Sequence, residues 1–251
     1  MSDFCEEQLA WAFRPELYFW EYDNVYREPY WAARPLGDTD EPIRIAYLLS
    51  YYRDEGSQAW LCGMPPPIWH PSCNGHNGDS EGIVLDVYFA GPPSKHWIVD
   101  TVALSAHGYW HKAYREGREK FPTTYDSGLF GVWELEYPEK DGGQLRVYVS
   151  QGKHANYYTQ DQCNDGGTFN TDDCTDVNMA ARVWAGWLQN LGSRSDPIID
   201  CVVAQDPIHP YYGSGREECY WTGARFRGWY PLSVGGADSD PYGPTLAHWG
   251  F

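Results

Sequence analysis

The sequence predicts a mainly β protein: a β-sandwich with one long amphipathic helix and an irregular C-terminal wrap, folded as a single domain over residues 1–251. Three observations carry that expectation. Short apolar runs recur along the chain, punctuated by Gly, Pro, Asn and Asp. One stretch, 177–191, repeats its apolar residues at helical rather than strand spacing. No repeat of fixed period is present, and no linker is long enough to demand a second domain.

Taken in order, Ser2 is placed to cap a short helix reaching about Phe13, with Phe4, Leu9, Ala12 and Phe13 as its apolar contacts and Pro15 as its stop. Glu16 to Glu21 reads as a short strand, and residues 23–42, with Pro29, Pro35, Gly37 and Pro42, as turns. Ile43, Ile45, Tyr47 and Leu49 alternate with Arg44, Ala46 and Leu48. Both faces are largely apolar, which places this strand centrally in its sheet. Residues 53–75, with three consecutive prolines, form a long loop. Ile83 to Phe89 and Lys95 to Leu104 read as neighbouring strands joined by the turn Gly91-Pro92-Pro93-Ser94. Segment 108–128 is polar and is expected to cover an open end of the domain. Val132 to Tyr137 and Leu145 to Ser150 read as a hairpin around Lys140-Asp141-Gly142-Gly143.

The predicted long helix contains Val177, Ala180, Ala181, Trp184, Trp187, Leu188 and Leu191, with Thr175 as its cap and Gly192 as its end. Ile198 to Ala204 is the last clear strand. The tail, 206–251, is rich in Gly, Pro and aromatics and is expected to wrap the domain with little regular structure.

Composition excludes some functions. A formal net charge of −17 is the wrong sign for phosphate-backbone neutralisation, so nucleic acid is not an expected partner. The same charge opposes adhesion to an anionic membrane and favours cations. No apolar run reaches the roughly 18–20 residues of a transmembrane span. The 13 Trp and 20 Tyr fill a core first, and they also supply the surfaces with which sugar and lipid head-group sites are built. A small molecule, glycan or lipid head group is therefore the expected ligand.

Seven cysteines suggest three local pairs: Cys62 with Cys73, Cys163 with Cys174, and Cys201 with Cys219, leaving Cys5. Each pair would close a short loop and add roughly 2–4 kcal/mol; buried reduced thiols are the alternative. The acidic N-terminus carries no hydrophobic leader, so the protein is secreted if the cysteines pair and a leader has been trimmed, and cytoplasmic otherwise.

The chemistry-bearing residues gather at three strand ends. His76-Asn77-Gly78-Asp79-Ser80-Glu81 leads into the strand at Ile83, and Asp79 and Glu81, two apart, would project from one face of it. Ser105-Ala106-His107-Gly108 and Ser150-Gln151-Gly152-Lys153-His154-Ala155 follow two other strands. Convergence of the three would make His76, Asp79, Glu81, His107 and His154 the candidate ligands of one divalent metal ion. The imidazoles favour zinc, iron, manganese or nickel, and a carboxylate-weighted subset favours magnesium or calcium. In a hydrolase such an ion would activate water, with Asp79 or Glu81 as general base and His107 beside them in the catalytic group. His111 and Lys153 are candidates for substrate contact. Ser150 near His154 is a nucleophile candidate with no evident activating partner. A second acidic stretch, Asp161, Cys163, Asp165, Gly166 and Asp172, loosely follows a calcium-loop pattern with Cys at its third position; the alternative is a solvated acidic loop. No Gly-x-Ser-x-Gly elbow or phosphate-cradling glycine loop occurs.

Gly75-His76-Asn77-Gly78-Asp79-Ser80-Glu81 resembles the Gly-His-Arg-His-Asp-Trp-Glu signature of the necrosis- and ethylene-inducing-like proteins, and more closely the His-x-Gly-Asp-Trp-Glu of the vacuolar-protein-sorting-like family. Gly152-Lys153-His154-Ala155-Asn156-Tyr157 resembles their later Gly-Ser-His-Ala-x-Tyr block. Phe13-Arg14-Pro15-Glu16-Leu17-Tyr18-Phe19 resembles their opening segment, and Phe226-Arg227-Gly228-Trp229, Gly243-Pro244 and Trp249 resemble their closing pattern. The departures are Gly78, where the necrosis-inducing proteins carry a second His, and Ser80, where both families carry Trp. The resemblance implies a β-sandwich with a divalent cation at one edge, held by Asp79 and Glu81 with His76 and His154 at matching positions. Two functions stand as expectations: a metal-dependent enzyme, most simply a hydrolase, and a non-catalytic, metal-assisted binder of a sugar or lipid head group, in the manner of a cytolysin.

Overall fold

A computed structural model describes residues 3–20, 29–36, 42–51, 53–54, 76–77, 80–92, 96–106, 109–114, 133–134, 145–164, 172–174, 180–182, 188–190, 199–203 and 217–221. The chain opens with helix α1 (Asp3–Ala12). Strands β1 (Glu16–Phe19), β2 (Tyr30–Pro35), β3 (Ile43–Ser50), β4 (Arg53–Asp54), β5 (His76–Asn77), β6 (Ser80–Ala90), β7 (His96–Ala106), β8 (Tyr109–Tyr114), β9 (Trp133–Glu134), β10 (Arg146–Val149) and β11 (Asn156–Tyr157) follow. A five-residue helix, α2 (Gln160–Asn164), precedes β12 (Ala180–Arg182), β13 (Gln189–Asn190), β14 (Ile199–Val203) and β15 (Glu217–Trp221).

Two sheets form the body. The larger runs β13-β2-β3-β6-β7-β8-β9 and the smaller β11-β10-β1-β12; β4 with β5 and β14 with β15 make separate ribbons. From β2 to β8 the large sheet is antiparallel throughout, while its outermost pairs, β13 with β2 and β8 with β9, are parallel. In the small sheet β1 lies parallel to β10 and antiparallel to β12.

Period-two alternation explains how the sheets meet. Ile43, Ile45, Tyr47 and Leu49 of β3, Ile83, Leu85 and Val87 of β6, and Val102 and Leu104 of β7 share one core with Leu17, Phe19, Val147 and Val149 of the small sheet. Two sheets closed over common apolar side chains are a β-sandwich. The opposite face of β3 is also buried, at Ala46 and Leu48, as expected for a central strand with two apolar faces. A bulge between Asp86 and Val87 shifts the register against β7. Helix α1 adds Leu9 and Ala10 to the core, and the buried Tyr47 hydroxyl donates to the Ala10 carbonyl at 2.7 Å, satisfying an acceptor that the helix end leaves over.

Several expectations are corrected. Residues 177–191 do not run as one long helix, because Ala180–Arg182 is an edge strand on β1 and Gln189–Asn190 an edge strand on β2. Backbone groups offered by two sheet edges outweigh the local helical periodicity there. The hairpin expected over 132–150 does not form, since β9 joins the large sheet and β10 the small one. Turn-rich 23–42 contains β2, ending on Pro35, whose missing N–H is tolerated at the end of the strand. Part of the 108–128 cover is β8, paired with β7, and the expected C-terminal wrap contains β15, paired with β14. Residues 222–251 lie outside the described residues.

The pairing Cys163–Cys174 is present as a disulfide. Cys201 and Cys219 stand directly opposite each other in the β14–β15 register. Cys62 and Cys73 fall outside the described residues, and Cys5 is an exposed thiol on α1.

Candidate functional site

The candidate site is built where β6 begins, β7 ends and the β10–β11 connection turns. In the β3–β6 ladder Ser50 faces Ser80 and Leu49 faces Glu81, so Tyr51, the next residue after β3, reaches the same edge. The connection is a tight loop. Ser150 N–H donates to Ala155 O at 2.9 Å, and His154 N–H donates to Ser150 O at 2.9 Å. Closing it so sharply takes left-handed backbone at two positions, Gly152 with φ 69° and His154 with φ 60°. Glycine adopts that conformation without penalty, but a histidine adopts it at a cost of about 1–2 kcal/mol. Such a residue persists only where its surroundings hold it. Here the ring of His154, which is 0 % exposed, stacks on Tyr51 with centroids 3.7 Å apart and planes 2° from parallel.

The acidic end of β6 is held by hydroxyl and amide groups from the other two segments. Ser105 Oγ accepts the Gly82 N–H at 2.6 Å and donates its own proton to Glu81 Oε2. Asn156 Nδ2 donates to the Gly82 carbonyl at 3.3 Å. Glu81 is only 3 % exposed, so its carboxylate is fixed rather than solvated. Asn156 Oδ1 and Ser150 Oγ are buried as well and, among the described residues, have no hydrogen-bond partner.

A second tier supports the loop. The disulfide ties α2 to residues 172–174; Gln151 N–H donates to Asp173 O at 2.9 Å, and Cys174 N–H donates to Asn164 Oδ1 at 2.8 Å. Ala106, Ala155, Tyr157 and both half-cystines pack together. The buried Tyr157 hydroxyl donates to Asp172 Oδ2. Burial above all, then the Asp172 charge and this bond, with a smaller effect from Glu81, raise the Tyr157 phenol well above its ordinary value of 10.0. A raised phenol stabilises the fold fully below pH 10, and that stability is lost as the unfolded chain ionises above it. Above pH 10 the wild type is therefore expected to lose stability more steeply than Tyr157→Phe, by up to about 1.4 kcal/mol per pH unit. Urea midpoints between pH 9 and 11 measure the difference, and parallel curves would refute it.

Of the five candidate ligands, the structure brings the segments carrying Glu81 and His154 to one edge. Asp79 and His107 lie outside the described residues. The backbone of His76 pairs with Asp54 in the β4–β5 ribbon, and its side chain is not among those described. Among the described residues no three His, Cys, Asp or Glu side chains are grouped to hold a metal. Of the calcium-loop pattern, Asp161 lies on α2, Cys163 is spent in the disulfide and Asp172 receives the Tyr157 hydroxyl, while Asp165 and Gly166 lie outside the described residues. Sequence reasoning missed Tyr51, Asn156, Tyr157 and the bridging role of Ser105. Asn156 and Tyr157 lay inside a noted block, whereas nothing local marks Tyr51.

No family model matches the chain. No curated protein matches it either. Among solved structures, one described as "Toxin fold for microbial attack and plant defense" aligns with 43% of this chain at 17% identity and a TM-score of 0.28. The aligned part spans about half of that protein, 53% of its chain.

In chemical terms the edge offers hard oxygens. A fixed carboxylate, a neutral amide oxygen and a hydroxyl, all sheltered from bulk water, suit magnesium or calcium better than a thiophilic metal. Among the described residues no helix is long and apolar enough to cross a membrane.

Proposed function

We propose that this edge of the sandwich holds a divalent cation with Glu81 as a ligand, and that the cation serves recognition of a sugar or lipid head group. Asp79, two residues before Glu81, and the His154 loop complete the proposed site, with His76 and His107 as the remaining candidates. The observation that carries the reading is the pinned, buried carboxylate of Glu81; Asn156, whose Nδ2 holds the next residue's carbonyl, has an amide oxygen that is buried without a hydrogen-bond partner among the described residues. A cation bound there would screen the acidic donors and offer its open positions to ligand oxygens. The resemblance of residues 75–81 and 152–157 to the necrosis-inducing-like and vacuolar-sorting-like blocks supports the same reading.

Recognition is favoured over hydrolysis by the state of Glu81. A general base needs a lone pair open to a water that it can deprotonate. Glu81 is instead 3 % exposed, and one oxygen already takes the Ser105 proton. That arrangement suits a ligand held still. In the hydrolase alternative, Asp79 would take the base role and His107 would assist.

The test is calorimetric titration of the purified protein with magnesium, calcium, manganese and zinc, followed by vesicle and glycan binding with and without chelator. Glu81→Gln is expected to weaken cation binding at least about tenfold and to abolish chelator-sensitive ligand binding. Chelator-sensitive turnover of an ester, phosphoester, amide or glycoside would transfer the site to the hydrolase reading. Absence of cation binding by the wild type would end both.

A further inference from the structure

We infer that Ser105 is the positioning residue for Glu81, setting the carboxylate's orientation as a cation ligand from a neighbouring strand. The inference rests on the proposed cation site and specifies how it is kept ready.

A serine hydroxyl has one proton to give and two lone pairs with which to accept. At the edge of β7 both capacities are used toward β6: a lone pair takes the Gly82 N–H at 2.6 Å and the proton goes to Glu81 Oε2. The regular β6–β7 pairing begins at Ile83 opposite Leu104, so Ser105 lies just past the last paired residue. Its hydroxyl stands in for a ladder carbonyl at Gly82 and turns the same atom onto the preceding carboxylate. Asn156 completes the clamp by holding the Gly82 carbonyl. Gly82 is thus held at both its N–H and its carbonyl, and the Glu81 side chain is held at Oε2.

Ser105 is 1 % exposed, so water does not readily replace the hydroxyl once it is lost. With alanine at this position the carboxylate loses the bond that orients Oε2, and Gly82 loses a buried acceptor. Partners of this kind, which orient a ligand without touching the ion, typically contribute 10–100-fold in metal affinity.

The experiment compares Ser105→Ala, Ser105→Cys and Ser105→Thr with Glu81→Gln and the wild type, titrating magnesium and calcium well below each variant's melting temperature. Melting is recorded without cation in parallel. Threonine keeps the hydroxyl, whereas cysteine keeps the volume but offers a weak donor. The expected result is a loss of about 10–100-fold for Ser105→Ala and Ser105→Cys, with Ser105→Thr within about threefold of wild type. A purely structural serine would lower the cation-free melting temperature and leave affinity intact. Wild-type affinity in Ser105→Ala or Ser105→Cys, with Glu81→Gln inactive, overturns the positioning role and leaves the cation site standing. Equal losses in the threonine and alanine variants overturn it too. Wild-type affinity in Glu81→Gln, or no cation binding by the wild type, removes the underlying site and the positioning role with it.

Discussion

Replacing Asp86 by alanine is expected to destabilise the protein by about 2–4 kcal/mol. Asp86 stands opposite Arg44 in the β3–β6 register and takes two bonds from its guanidinium, Nε to Oδ1 at 2.6 Å and Nη2 to Oδ2 at 2.7 Å. The side chains are only 16 and 13 % exposed, so the pair is little screened. On its other side Arg44 faces Arg34 of β2, a like charge directly across the ladder. Without the aspartate, both bonds are lost, and Arg44 keeps a like charge opposite it in the β2–β3 register. The expected loss is at the low end of the range for breaking a buried pair, because some solvent reaches both groups. An Arg44→Met, Asp86→Leu double variant is expected to lose less than Asp86→Ala alone, since it removes the guanidinium together with its carboxylate. Urea denaturation of the three proteins decides the matter, and a loss below about 0.5 kcal/mol for Asp86→Ala would show that the pair is solvated in practice.

Removing the disulfide with Cys163→Ala and Cys174→Ala is expected to cost roughly 3 kcal/mol. A crosslink between residues 11 apart in sequence removes about that much loop-closure entropy from the unfolded chain. The bond has a second consequence, because it anchors residues 172–174 and these brace the loop carrying His154 through the Asp173 carbonyl and the Asp172 carboxylate. The double variant is therefore expected to show faster amide exchange at Gln151 and Tyr157 than the global loss of stability alone would produce. Uniform acceleration across β6, β7 and β10 would show instead that the bond acts only on the unfolded chain.

Much of the sandwich is legible in the sequence where the signal is local. Alternation marks β3, β6, β7 and β10 because successive strand side chains point to opposite faces, and the apolar residues of these four strands match the face buried in the core. The helix at the start is legible from its apolar residues and from Pro15 after it. The edge strands β12 and β13 are not. Ala180–Arg182 and Gln189–Asn190 lie within 177–191, where Ala, Trp and Leu recur at helical spacing, yet they pair with β1 and β2, whose residues precede them by well over a hundred positions. No pattern within a short window encodes a partner that remote.

The site divides in the same way. The carboxylate of Glu81, the imidazole of His154 and the pairing of Cys163 with Cys174 were all marked by residue type and spacing, since the chemistry of a side chain is a local property. The left-handed backbone of His154, its stacking on Tyr51 and the hold of Ser105 and Asn156 on Gly82 belong to the tertiary structure alone. Each is a contact between segments that only the closure of two sheets brings within bonding distance. The amino-acid order thus specified which groups are available for chemistry, and packing decided which of them are held still.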